Sequence, residues 1–267
     1  MPLQKTTETS GSVVYAFPTG HRFHHQAAPD HLRALEPVLV FEAMAELLGE
    51  LGDKQSAIHR NETLSDIGRS RQLEPLRTDF IRRLAAVSSQ MDGYAESLDK
   101  REATLTRVPS LDPTHSAMAI EDREVRDWWR SLSMDDRTKL LSRIDNEPGH
   151  DRLMIALMRA PVAQMQLDHE VALVRSVWNR TKRLDNPVEA EAVDSGRAAL
   201  DWGRRGLAHV AGITSSVVDL EPALVLRTIV ASDDDMTRKG FGVFGFDALQ
   251  AAQQRRIVEH QQRALAS

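Results

Sequence analysis

Gly240, Gly242 and Gly245 have the G-x-G-x-x-G spacing with which a loop and the helix after it hold a pyrophosphate. A dinucleotide site also needs a strand running into the first glycine and an acidic ribose ligand on a second strand. The nearest strand-like stretch, 223–231, stops well upstream and reads as helix because no partner strand is visible. The 22 residues after Gly245 leave no room for the rest of a sheet, so no cofactor is expected. Phe241, Val243, Phe244 and Phe246 alternate with these glycines. They read either as a hinge that buries its rings in the same chain or as a docking segment for a partner surface.

His21, His24, His25 and His31 cluster near the start of the chain, and neutral imidazole is a good ligand for zinc, nickel or copper. The spacing supplies no closed set of four ligands, so these histidines are read as part of a solvated arm and no metal is expected. Neither His150-Asp151 nor His169-Glu170 is followed by a second histidine four residues on. Asp233, Asp235 and Thr237 start like a calcium loop, but Arg238 stands where glycine is needed and Phe244 where a bidentate glutamate is needed. Ser97 and Lys100 have S-x-x-K spacing without the companion motifs of that chemistry. The chain has no cysteine, and hence no disulfide and no thiol nucleophile. No catalytic residue is assigned, and the chain is expected not to be an enzyme.

Arg175, Arg180, Lys182 and Arg183 surround Trp178 and form the one patch suited to phosphate and base contacts. Basic residues near a helix C-terminus also complement its dipole, and Asp185 dilutes the field. The helix–turn–helix pattern over 134–160 has Leu153, Met154, Ile155, Leu157 and Met158 where a DNA reader needs polar side chains. Four successive portions of the chain, 1–52, 53–107, 108–185 and 186–267, carry net charges between −3 and +1, and the whole carries −5. Nucleic acid is therefore not the expected partner, and a nucleic-acid-associated regulator using residues 175–183 is the alternative reading.

The elements that must position these residues read as helices. The clearest pattern lies over about 76–108, where Phe80, Leu84, Val87, Met91, Tyr94, Leu98, Leu105 and Val108 occupy a and d positions of a heptad repeat. A helix of that length spans roughly 50 Å. Few complementary charges stand at its e and g positions, which leaves two arrangements: an antiparallel bundle within the chain, or a coiled coil with a second copy. Upstream, an amphipathic helix restarts at Pro37 and stops near Gly49 and Gly52. Downstream, helices are expected over 119–132, 134–144 with Ser133 as cap and Asp136 at the capping-box position, 151–160, 167–184 and from Asn186-Pro187 to about 211. Gly196 and Gly203 interrupt the last of these at some cost, which implies close approach of another helix. A Gln-rich helix over about 247–264 follows the Phe/Gly segment.

The expected fold is all-α: a long heptad-patterned helix packed with, or projecting from, a multi-helix bundle, preceded by a flexible N-terminal arm. The expected organisation is an arm over 1–27, a helical or coiled-coil region over 28–108, a linker over 109–118 marked by Pro109 and Pro113, a helical body over 119–232 and the terminal segment 233–267. Aromatic residues are 5% of the chain, which argues against a β-sandwich and against base-stacking platforms. Glu36, Glu42, Glu46 and Glu50 interrupt the most apolar stretch, so no membrane partner is expected.

Residues 131–178, with Leu132-Ser133, Arg137, Leu140-Leu141, Leu153, Ala156-Leu157, Ala160-Pro161 and Trp178, resemble uncharacterised helical proteins of tailed bacteriophages and prophages. The resemblance covers about 50 residues and implies a context of virion assembly or host takeover, with no catalytic residues to carry over. Together these features lead to an expected non-enzymatic interaction or assembly protein, cytoplasmic or virion-associated, whose protein partner is either another protein or a second copy of itself.

Overall fold

A computed structural model of the chain describes residues 3–112, 114, 116–144, 150–159 and 168–217. The fold is mostly all-α. Among the described residues it has seven α-helices and one small antiparallel sheet. The segment expected as an aperiodic arm carries that sheet: β1 (Gln4–Thr7), β2 (Ser12–Ala16) and β3 (Arg22–Gln26), in sequence order. Gly11 and Gly20 supply the positive φ needed beside its two turns, at 80° and 85°. Val13 stands opposite His25 and Tyr15 opposite Phe23. On β3, Phe23 and His25 are buried while Arg22, His24 and Gln26 are exposed, the period-2 pattern of a one-sided sheet.

After a short 3-10 turn at Asp30–Leu32 come α1 (Glu36–Arg60) and α2 (Asp66–Leu105). Pro37 lies in the first turn of α1, as expected. Gly49 and Gly52 do not end the helix, which continues to Arg60. They are packing positions: a Cβ at Gly49 would lie 2.8 Å from Leu3 Cβ, and one at Gly52 would lie 3.4 Å from Val217 Cγ1. Helix α2 begins nine residues before Pro75 and carries that proline in its interior on the exposed side. The upstream turns are held by Ser65, whose hydroxyl accepts the Gly68 amide, and by buried Leu73.

The remaining helices are α3 (Ser116–Ser131), α4 (Met134–Ile144), α5 (Asp151–Met158), α6 (Asp168–Asp185) and α7 (Pro187–Val217). The N-terminus of α4 is capped as expected, since the Asp136 amide donates to Ser133 Oγ and that hydroxyl donates to Asp136 Oδ2 at 2.7 Å.

The chain forms two compact units, and their boundary differs from the expected organisation. The first joins the described residues up to Leu98 to those from Ser195, and the second is Asp99–Asp194. The first unit's core gathers Tyr15, Phe23, Phe41, Leu48, Leu84 and Trp202 among others. The second is built on Trp129, Leu141, Ile144, Met154, Val174, Val177 and Trp178.

Candidate functional site

The heptad positions are consumed inside the chain. Phe80, Leu84, Met91 and Leu98 are buried in the core of the first unit, and Val87 and Tyr94 are half-buried against it. Leu98 Cδ2 lies 2.6 Å from where a Cβ on Gly196 would stand, and Met91 Cε lies 3.1 Å from the same position at Gly203. The pairs 98/196 and 91/203 step in opposite directions, so α2 and α7 run antiparallel in this unit, and the two glycines allow the close approach that the sequence implies. Arg204 donates to Asp92 beside them at 2.5 Å. Leu105 is the last residue of α2, and Val108 lies beyond its end, packed on the core of the second unit.

The residues of the alternative nucleic-acid patch do not share a solvent-facing surface. Trp178 is buried, and its indole N–H donates to the Thr106 carbonyl at 2.8 Å. Lys182 lies over that ring at 4.5 Å and pairs with Asp151 at 2.8 Å and Asp185 at 3.0 Å. Burial pulls its ammonium pKa down, but these two carboxylates outweigh it and leave the group above its ordinary range. Arg183 is held by Asp194 and Glu102, which also raise it. Only Arg175 and Arg180 of the set are exposed. Local spacing brings these residues to one helix, and carboxylates of the second unit neutralise Lys182 and Arg183. The partner-docking residues Phe241, Val243, Phe244 and Phe246, like the helices expected over 223–231 and 247–264, lie outside the described residues.

The second unit presents an apolar surface that sequence reasoning did not single out. Helix α3 buries Asp122 and Trp129, seven residues apart, with Val125 half-buried between them. Asp122 is fully enclosed and is bound by Arg152 and, at 3.3 Å, by Arg159. Arg159 also donates to the carbonyls of Pro109 and Ser110, fixing the entry to α3. Arg137 donates to the Trp129 and Arg130 carbonyls at the helix's other end. The rigidly held helix turns Ile120 and Trp128 outward, at 59% and 49% exposure, and Met134 at the start of α4 is 54% exposed. The signal was present in the sequence: of the adjacent tryptophans at 128 and 129, helical geometry lets only one point into the core. Exposed carboxylates flank this surface at Glu121, Glu124, Asp127, Asp135 and Asp136.

In the first unit, His25 sits among rings instead of in the solvent expected for these histidines. It is 5% exposed, with ring centroids 4.4 Å from Trp202, 5.0 Å from Phe41 and 5.6 Å from His209. Its Nε2 is buried without a hydrogen-bond partner. Burial lowers its pKa to about 4, aided by the neighbouring charges of His209 and Arg205 and opposed by a hydrogen bond to the Trp202 backbone and by Glu42. Partial desolvation under the Phe23 ring also lowers His209, although the residue as a whole is exposed. Beside this pocket Tyr15 donates to Glu42, and Lys5 pairs with Glu42 and Glu46. Burial, followed by the Glu42 contact, pushes the Tyr15 phenol far above its ordinary range. Among the described residues no three His, Asp or Glu side chains gather as metal ligands would, and no helix is long and apolar enough to cross a membrane.

No family model matches the chain, and no curated protein or solved structure does so.

Proposed function

We propose that this chain is a non-enzymatic interaction or assembly protein that engages a protein partner through the face of α3 centred on Trp128. A single observation carries the reading: a half-exposed tryptophan, with Ile120 on the same side, stands on a helix whose opposite side is locked by Asp122, Trp129 and Arg137. A large amphipathic ring held on a rigid helix costs little entropy to bury, and tryptophan is enriched among the residues that dominate binding energy. The context implied by the resemblance of residues 131–178 makes the partner another component of a phage or prophage particle. The long helix is not needed for association in this reading, because its seam is used within the chain.

Photo-crosslinking in the producing cell tests the proposal. A benzoylphenylalanine at position 128 or 120 is expected to give one discrete heavier adduct, whereas the same group at exposed position 50 gives none. Absence of an adduct from 128 and 120, or an identical adduct pattern from all three positions, overturns it.

A further inference from the structure

The geometry around His25 points to an acid-sensitive latch: we propose that protonation of this imidazole releases the N-terminal sheet from α1 and α7 and uncovers the aromatic face beneath it. The sheet is fastened at this point by few groups. Tyr15 and Phe23 lay their rings against Phe41 of α1 at 5.5 and 6.4 Å, and Phe23 stacks on His209 of α7 at 5.4 Å. The Trp202 indole N–H donates to the Gln26 carbonyl at 2.8 Å, next to His25 itself. His25 therefore stands where β3 meets both helices, and its protonation state is set inside that contact.

Charged and titratable groups face it from each neighbouring element. From α7 come His209 and Arg205, and both disfavour a second positive charge. From α1 comes Glu42, which favours it, but this carboxylate already accepts the Tyr15 hydroxyl of β2 and the Lys5 ammonium of β1. His24, the next residue of β3, is exposed and lies 3.7 Å from Glu8, away from the pocket. A proton added at the unpartnered Nε2 thus creates a buried donor with no acceptor, beside a second imidazole 5.6 Å away. In the released sheet the imidazole is solvated and the penalty disappears, so acid favours the open form.

The sign follows from linkage. The closed sheet holds His25 neutral down to about pH 4, whereas the open form takes up its proton near 6.5. Closure is fully favoured above pH 6.5 and weakens as the pH falls through the interval between those values. Between pH 7 and pH 5 the opening constant of the sheet is expected to rise about 20-fold.

Amide hydrogen exchange of the full chain, corrected for the intrinsic pH dependence of exchange, reads this constant at the β2–β3 ladder. The expected result is a rise of about 20-fold in the wild-type chain, with the helices of Asp99–Asp194 unchanged, and a much smaller rise in His25→Phe, whose ring suits the aromatic neighbours and which leaves His209 as the remaining titrating group at this contact. The proposal is overturned if ladder protection is the same at pH 7 and pH 5, or if His25→Phe shows the wild-type rise. NMR titration of the His25 imidazole in the wild-type chain needs no variant. A closed-state midpoint well below the ordinary histidine range supports the latch, and a midpoint near 6.5 with the ladder still protected overturns it.

Discussion

Three glycine-to-alanine substitutions separate close helix packing from intrinsic helix propensity. Gly93 lies on the exposed side of α2, and a Cβ there would meet nothing within 4 Å. At Gly203 the Cβ would stand 2.7 Å from the Pro37 carbonyl oxygen and 3.1 Å from Met91 Cε. At Gly206 it would stand 2.5 Å from Phe41 Cδ2 and 2.8 Å from Cγ. All three positions gain about 1 kcal/mol of propensity from alanine, since each is inside a helix. Gly93→Ala is therefore expected to stabilise by that amount. The other two must displace groups that cannot move freely. The Pro37 carbonyl belongs to the first turn of α1, and the Phe41 ring is enclosed by Tyr15, Phe23, His25 and Trp202. Overpacking of this kind costs about 1–3 kcal/mol, and with backbone or an enclosed ring as the obstacle the upper end applies. Net destabilisation of about 1–2 kcal/mol is expected for Gly203→Ala and Gly206→Ala, opposite in sign to Gly93→Ala. Urea unfolding followed by far-UV circular dichroism gives the midpoints. If all three variants shift the midpoint in the same direction, the close approach of α1 to α7 at Gly203 and Gly206 is refuted.

Two further substitutions probe buried polar groups. Asp122→Asn removes the only carboxylate that is fully enclosed among the described residues and leaves the buried Arg159 guanidinium uncompensated, while the partly exposed Arg152 turns to water. It is expected to lower the stability of the second unit by about 3 kcal/mol, read as a shifted urea midpoint, and an unchanged midpoint would show that the ion pair does not hold α3 and α5. Trp202→Phe deletes the donor to the Gln26 carbonyl and is expected to cost about 1–2 kcal/mol, with exchange at the end of β3 rising first; uniform exchange across the first unit would contradict this.

Helix positions were legible where punctuation and periodicity agreed. Asn186-Pro187 opens α7, Ser133 with Asp136 opens α4, and the 84–91–98 repeat marks the buried line of α2. The glycines at 196 and 203 announced a close neighbour, and those at 49 and 52 played the same part, although sequence alone read them as a stop. Glycine weakens a helix locally, but tertiary contact with Leu3 and Val217 decides the outcome there. Helix α2 likewise runs through Pro75, because Leu73 and the Ser65 cap secure the turns before it. The sheet escaped notice because its strands are four or five residues long and only β3 alternates cleanly; Gly11 and Gly20, nine residues apart, were its best marker. Within the 175–183 patch, the pairing of Lys182 and Arg183 was not legible because two of their carboxylate partners, Asp151 and Glu102, are distant in sequence.

The first unit is split in the chain, with Asp99–Asp194 placed between α2's buried line and the stretch of α7 that covers it. During synthesis, Phe41, Met91 and Leu98 leave the ribosome well before Gly196, Gly203 and Trp202 are made. At about 5–20 residues per second the intervening unit takes on the order of ten seconds to translate. Throughout that interval the nascent chain carries an uncovered apolar stripe beside a second unit that is free to fold first. Holdase binding to ribosome-bound chains is therefore expected to end when residues 195–217 emerge, which makes the completion of α7 the step that commits this protein to its native state.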